Sequence, residues 1–126
     1  MKKIRSPLAE AYFRFVQLSR TLQAQTPPAS LMDANERALL EAVALRWFEG
    51  QPMTVREAIA LDHLGSPATL HKRVTRLRQK DMLVAQNLEG DRRAKYLIPS
   101  EKTLKFFSAL GGHMHSVYEP TAAQCA

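Results

Sequence analysis

Eight cations crowd into about one quarter of the chain: Lys72, Arg73, Arg76, Arg78, Lys80, Arg92, Arg93 and Lys95. Only Asp81, Glu89 and Asp91 oppose them, so residues 66–97 carry an excess of +5 and the rest of the chain +1 of the total +6. An even spread of charge would serve solubility, whereas a concentrated one suits a polyanion. The chemistry on offer is phosphate binding.

The first five of these cations fall in "SPATLHKRVTRLRQKDM". At helical spacing Leu70, Val74 and Leu77 gather on one side, and Ala68, Lys72, Thr75, Arg76 and Gln79 cover the other. Ser66, Ala68 and Thr69 place small and hydroxylic groups in the first turn, where a helix entering a major groove comes closest to base edges. Lys72 and Arg76 are long enough to reach flanking phosphates. His71 and Arg73 stand at the edges of the exposed arc. Arg73, near the core side, either lays its stem on the protein and sends its head to a phosphate, or is an ordinary surface arginine. Taken alone, the stretch also fits an amphipathic helix with a solvated basic face.

The remaining cations fall in "LEGDRRAKYLI". Gly90-Asp91 reads as a turn between two strands, "LVAQNLE" and "RRAKYLIP". Arginine at such a tip suits a narrow minor groove, which concentrates negative potential. Asp91 could hold one guanidinium by a bidentate bond and aim it. A solvated charged turn is the plainer alternative.

Other elements must position these two segments. Ser6 and Pro7 open a first helix with Leu8, Tyr12, Phe15 and Leu22 near one face, widened by Phe13 and Val16. "TPPAS" ends it. Asp33 and Glu36 form a capping box for a second helix, whose Leu39, Leu40, Val43, Ala44, Trp47 and Phe48 read as buried. Gly50 and Pro52 stop it, "MT" is a short extended piece, and Thr54 with Glu57 caps a short third helix. "DHLG" is a tight connection to the basic helix, which Ser66 and Pro67 start. Ser100 caps a last helix through Leu104, Phe107, Leu110 and Met114, with Gly111-Gly112 expected to bend or end it. The fold class is therefore mainly α with a small β-hairpin wing, a winged helix-turn-helix in the order α-α-α-α-β-β-α.

"SPATLHKRVTRLRQKDMLV" followed by "GDRRAKYLIPSEKTLKF" resembles the multiple-antibiotic-resistance regulator (MarR) family of winged-helix transcription factors. The Thr-apolar helix start, Leu77, the Asp-x-Arg-Ala wing and the serine-capped "IPSEKT" carry the likeness, which covers most of residues 31–110. It implies a homodimer on pseudo-palindromic double-stranded DNA, most often as a repressor. The recognition helix would enter the major groove and Arg93 the adjacent minor groove, buttressed by Asp91, with Arg92 nearer the backbone and Lys95 also in contact with DNA. It further implies dimerisation through terminal helices, which suits Tyr12, Phe13, Phe15, Phe106, Phe107 and Tyr118. A small-molecule effector is compatible, and the sequence names none. Three features depart from the family: Asp81 replaces a usual glycine, Arg73 replaces an apolar residue, and the C-terminus is short, so a reduced or differently built dimer is expected.

The organisation implied is one winged-helix domain over 1–126. Within it, 7–25 and 100–118 are dimerisation helices, 31–99 is the DNA-binding core and 119–126 is a tail. One cysteine, Cys125, excludes an intrachain disulfide framework, and no basic neighbour marks it as reactive. His113 and His115, placed in a tail beyond the glycines, have too few companions for a metal site. No nucleophile triad, carboxylate pair or phosphate-binding glycine loop stands out, so no enzyme, cofactor or metal is expected. There is no signal peptide or membrane-spanning run, and the expected location is the cytoplasm. The rival reading is a winged-helix protein-interaction module, or an architectural DNA binder without sequence preference.

Overall fold

Polar side chains define where the helices begin. The computed structural model describes residues 6–25, 32–88, 90 and 93–118. Helix α1 (Pro7–Gln25) starts where the Ser6 hydroxyl accepts from the Ala9 N–H at 3.3 Å. Helix α2 (Ala34–Phe48) starts at Asp33, whose carboxylate accepts the Glu36 N–H at 2.7 Å while Glu36 Oε1 accepts the Asp33 N–H at 3.4 Å. The short α3 (Val55–Ile59) repeats the device with Thr54 and Glu57. The Glu36 N–H holds the Asp33 carboxyl below its ordinary range, and the Thr54 N–H does the same for Glu57. Each box satisfies amide donors that a helix start otherwise leaves open.

The chain divides into two units, one comprising residues 31–104 and the other 1–30 with 105–126. In the first, Leu39, Leu40 and Val43 of α2 are fully buried together with Leu70 and Leu77 of α4 (Pro67–Gln79). Strands β1 (Met53–Thr54), β2 (Leu83–Asn87) and β3 (Lys95–Pro99) form an antiparallel sheet in the order β1-β3-β2. Met53 pairs with Leu97, and Ala85 pairs with Leu97 from the other side. The "MT" piece is thus a third strand closing one edge of the hairpin, an addition to the two-stranded wing expected from sequence. A single 3-10 turn, Asp62–Leu64, joins α3 to α4.

Two apolar residues expected in the core are outside it. Trp47 is 36% exposed and Phe48 is 79% exposed. At helical spacing Phe48 stands about 110° from the centre of the Leu39–Val43–Leu40–Ala44 stripe, and Trp47 falls in the last turn. Burial on α2 therefore ends at Ala44.

The last helix, α5 (Glu101–Tyr118), also departs from expectation. It runs through Gly111 and Gly112 without ending, and carries His113 and His115 on helix rather than in a tail. Two glycines cost roughly 1 kcal/mol each relative to alanine, a sum that a helix of this length can bear. Its first turn belongs to the winged unit, where Ser100 caps it and Thr103 is fully buried.

A Cβ added at Gly111 or Gly112 would meet nothing within 4 Å. Replacing either by alanine is therefore expected to stabilise the protein by up to about 1 kcal/mol, additively, in thermal unfolding. A fall in melting temperature on either substitution would mean that the helix does not continue through this pair.

Candidate nucleic-acid interface

Helix α4 packs by one stripe and leaves the rest to solvent. Leu70, Val74 and Leu77 are buried to 2% exposure or less, while Ala68, His71, Lys72, Thr75, Arg76, Arg78 and Gln79 are exposed. Its start is built from small groups. The Ser66 hydroxyl accepts from the Thr69 N–H at 3.3 Å and donates to Thr69 Oγ1 at 2.9 Å, with Pro67 as the first helical residue. Thr75 donates its hydroxyl to the His71 carbonyl at 2.9 Å, so its oxygen faces outward as an acceptor.

Arg73 has an internal task. Its Nη1 donates to the Leu64 carbonyl at 2.9 Å, and the residue is half-buried. The guanidinium thus ties the helix back to the turn that precedes it, which differs from both sequence-based alternatives, a head sent to a phosphate and an ordinary surface arginine. Gly65, between the two, has φ +153°, a conformation essentially confined to glycine, and a Cβ there would lie 3.2 Å from Arg73 Nη1. The chain folds tightly between α3 and α4 because both conditions are met.

The far end of α4 is held more firmly. Asp81 adopts φ 58°, the left-handed conformation anticipated from its place in a position where glycine is usual. The Asp81 N–H returns to the Arg78 carbonyl at 3.1 Å and the Met82 N–H to the Leu77 carbonyl at 2.8 Å, a complete Schellman closure. Met82 and Leu77, the apolar pair that accompanies this motif, are both fully buried. The Met82 carbonyl accepts from Thr103 Oγ1 at 2.6 Å and from the Ser100 N–H at 3.1 Å. Lys80 Nζ reaches Glu36 Oε2 at 2.9 Å, while the Lys80 carbonyl accepts from Lys102 Nζ at 3.0 Å. Glu36 is only 4% exposed, so this is a sequestered ion pair fixing the end of α4 to the start of α2. Neither this pair nor the Thr103 bond has a sequence signal, since the partners lie 44 and 21 residues apart.

The hairpin leaves this junction directly. Arg93 and Lys95 are exposed on its return side, and Asn87 Nδ2 donates to the Ala94 carbonyl at 2.9 Å across its base. Asp91 and Arg92 lie outside the described residues, and with them the expected buttress. Between α4 and β2 runs an open groove of about 460 Å³, lined by Thr75, Arg78, Gln79, Asp81, Leu83, Val84 and Ala85. Arg78 was not among the residues expected to contact DNA.

The aromatics assigned to dimerisation separate into groups. Tyr12 and Phe13 are 63% and 65% exposed, with ring centroids 6.2 Å apart. Phe15 and Phe107 are half-buried, and the side chain of Tyr118 lies outside the described set. Phe106 is only 3% exposed within the single chain, which corrects its assignment to the dimer contact. Its position on α5 turns it inward, whereas α1 turns Tyr12 and Phe13 outward. Among the described residues no group of three or more His, Cys, Asp or Glu could hold a metal ion, and no helix is long and apolar enough to cross a membrane.

No family model and no curated protein matches the chain. Solved structures do. A MarR-like transcriptional regulator from Thermotoga maritima superposes with a TM-score of 0.63 at 18% identity, covering 92% of this chain and 79% of its own. RV1404 from Mycobacterium tuberculosis gives 0.61 at 16% identity, covering 98% and 87%. AbsC, a MarR family transcriptional regulator from Streptomyces coelicolor, gives 0.51 at 18%, covering 93% and 79%. At such identities the likeness is one of fold: the chain has the MarR-like winged-helix fold that its sequence suggested.

Substitutions at two positions test how the helix ends are held. Asp81→Gly should keep or raise the urea midpoint, whereas Asp81→Val, a β-branched residue at positive φ, should cost about 1–2 kcal/mol. Equal midpoints for the two variants would remove the left-handed cap from the account. Arg73→Met keeps the stem but loses the bond to Leu64, and is expected to destabilise by about 1–2 kcal/mol; a neutral result would return Arg73 to the surface.

Proposed function

We propose that the protein is a sequence-specific double-stranded DNA-binding transcriptional regulator, acting in the cytoplasm as a homodimer on a pseudo-palindromic site and most simply as a repressor. The observation that carries this reading is the exposed face of α4, with small and hydroxylic groups at its start and cations along its length. Ala68 and Thr69 approach base edges, Ser66 and Thr75 offer hydroxyls beside them, and Lys72 and Arg76 neutralise phosphates. His71 lies on the wing-side flank. Arg93, with Arg92 and Lys95 nearby, enters the minor groove next to the major groove that α4 occupies. Arg73 supports the interface by holding the preceding turn.

The fold likeness to regulators supports the same reading, as does the concentration of charge. Exposed Tyr12 and Phe13 on α1, with half-buried Phe15 and Phe107, supply apolar surface for a second copy. Two copies would present two recognition helices, which is what an inverted repeat requires.

Selection from random duplex DNA, followed by sizing of the complex, tests the proposal. Enrichment of an inverted repeat bound by two chains is expected. Binding without any enriched motif would point to an architectural binder, and no binding at moderate salt to a protein-interaction module. On the selected site, Arg93→Ala should weaken binding by about 1–3 kcal/mol. Lys72→Ala and Arg76→Ala should each flatten the salt dependence by about 0.9 for every phosphate that the variant leaves unneutralised. Unchanged affinity for Arg93→Ala would take the wing out of the interface.

A further inference from the structure

The groove between α4 and β2 is not explained by a helix that reads bases and a wing tip that enters a minor groove. Three of its features point to one ligand chemistry. First, Arg78 lines it from the flank of α4 turned toward the wing, roughly 80° from Leu70 at helical spacing. Lys72 stands near the middle of the outward face, and Arg76 lies on its other flank. The helix therefore carries cations on both sides of its outward face, and a major groove has a phosphate wall on both sides. Second, Arg78 is exposed, and its side chain engages no acceptor among the described residues.

The third feature is the strand. β2 is the outer member of the sheet, with β3 on one side only. The Ser100 N–H donates to the Met82 carbonyl at 3.1 Å, which fixes that pair as hydrogen-bonded. Antiparallel alternation then makes Val84 and Gln86 the bonding residues of β2. Leu83 and Ala85 turn their N–H and C=O groups away from β3, on the edge that borders the groove they line. The groove thus offers a guanidinium, the Gln79 amide and outward backbone N–H donors. Asp81, whose N–H bonds the Arg78 carbonyl, lines the groove near the turn where α4 passes into β2.

We infer that this groove seats the sugar–phosphate strand running between the major groove read by α4 and the minor groove entered by the wing, with Arg78 as the residue that grips it. The inference rests on the DNA-binding reading. A helix in one groove and a wing in the next have one backbone strand between them, and that strand must cross the space between α4 and β2. An acidic extended peptide added to the β2 edge would use the same donors, but Lys72 on the outward face of α4 and Arg76 on its far flank would then have no role.

The test uses the duplex selected by the wild-type protein, with single phosphates replaced in turn by uncharged methylphosphonates. Wild type is expected to lose about tenfold in affinity at one position per half-site, between the major-groove and minor-groove contacts, the size of a charge-assisted hydrogen bond. Arg78→Gln should lose about tenfold on the unmodified duplex and nothing further at that position, with an unchanged melting curve. Its salt dependence should be flatter by about 0.9 for each phosphate released. Additive losses, or an Arg78→Gln variant equal to wild type, overturn the assignment while leaving the DNA-binding reading in place. If wild type binds no duplex at all, both fall. Amide resonances of Leu83 and Ala85 that move with an acidic peptide and not with duplex give the groove to a peptide.

Discussion

The winged unit depends on how α4 ends. α4 and the hairpin can act together only if the angle between them is fixed, and three consecutive residues, Lys80, Asp81 and Met82, fix it. The Schellman closure stops the helix at a defined residue. Met82 then enters the core, and its carbonyl is gripped by two donors from the start of α5. Lys80 anchors the same turn to Glu36, a carboxylate already committed to capping α2. Three helices therefore meet at one turn, and β2 begins on the next residue. Because Glu36 is buried, removing its partner would leave an uncompensated charge, which makes the joint costly to open.

The cations of the basic segment divide their labour in consequence. Lys80 and Arg73 spend their charge inside the protein, Lys80 at the end of α4 and Arg73 toward its start. They hold the helix between the 3-10 turn and the wing. Lys72, Arg76 and Arg78 on α4 and Arg93 and Lys95 on the hairpin are exposed and are arranged around that held frame. Net charge alone would have counted all of them toward a polyanion. The bonds of Lys80 to Glu36 and of Arg73 to Leu64 show that two of them serve the fold.

Much of this was readable in the sequence, because it is written in local patterns. The caps at Ser6, Asp33, Thr54, Ser66 and Ser100 are short local signatures, and Leu70, Val74 and Leu77 declare the buried stripe of α4 by their spacing. The left-handed turn at Asp81 was legible only through the family likeness, which has glycine at that place. What escaped was of two kinds. Long-range polar pairs such as Glu36–Lys80 and Thr103–Met82 leave no periodic trace. Apolar type alone does not say where a neighbouring element ends, so Trp47 and Phe48 read as core and are exposed, and Phe106 read as surface and is buried. The Gly111-Gly112 pair misled for a related reason: propensity marks a cost, and a long helix can absorb it. In the candidate site, the exposed face of α4 was legible from spacing, while the groove beside it required the register of β2.

The central claim is that α4 and the wing engage one duplex as a single rigid unit, each copy spanning a major groove and its neighbouring minor groove. Hydroxyl-radical footprinting on a selected duplex tests it most directly, since the reagent reports protection of the sugars along each strand. Joint engagement of both grooves gives two symmetric sets of protection, each covering the minor-groove stretch next to the major-groove site and the strand between them. Protection confined to the major-groove flanks, with both neighbouring minor grooves fully cleaved, would contradict it.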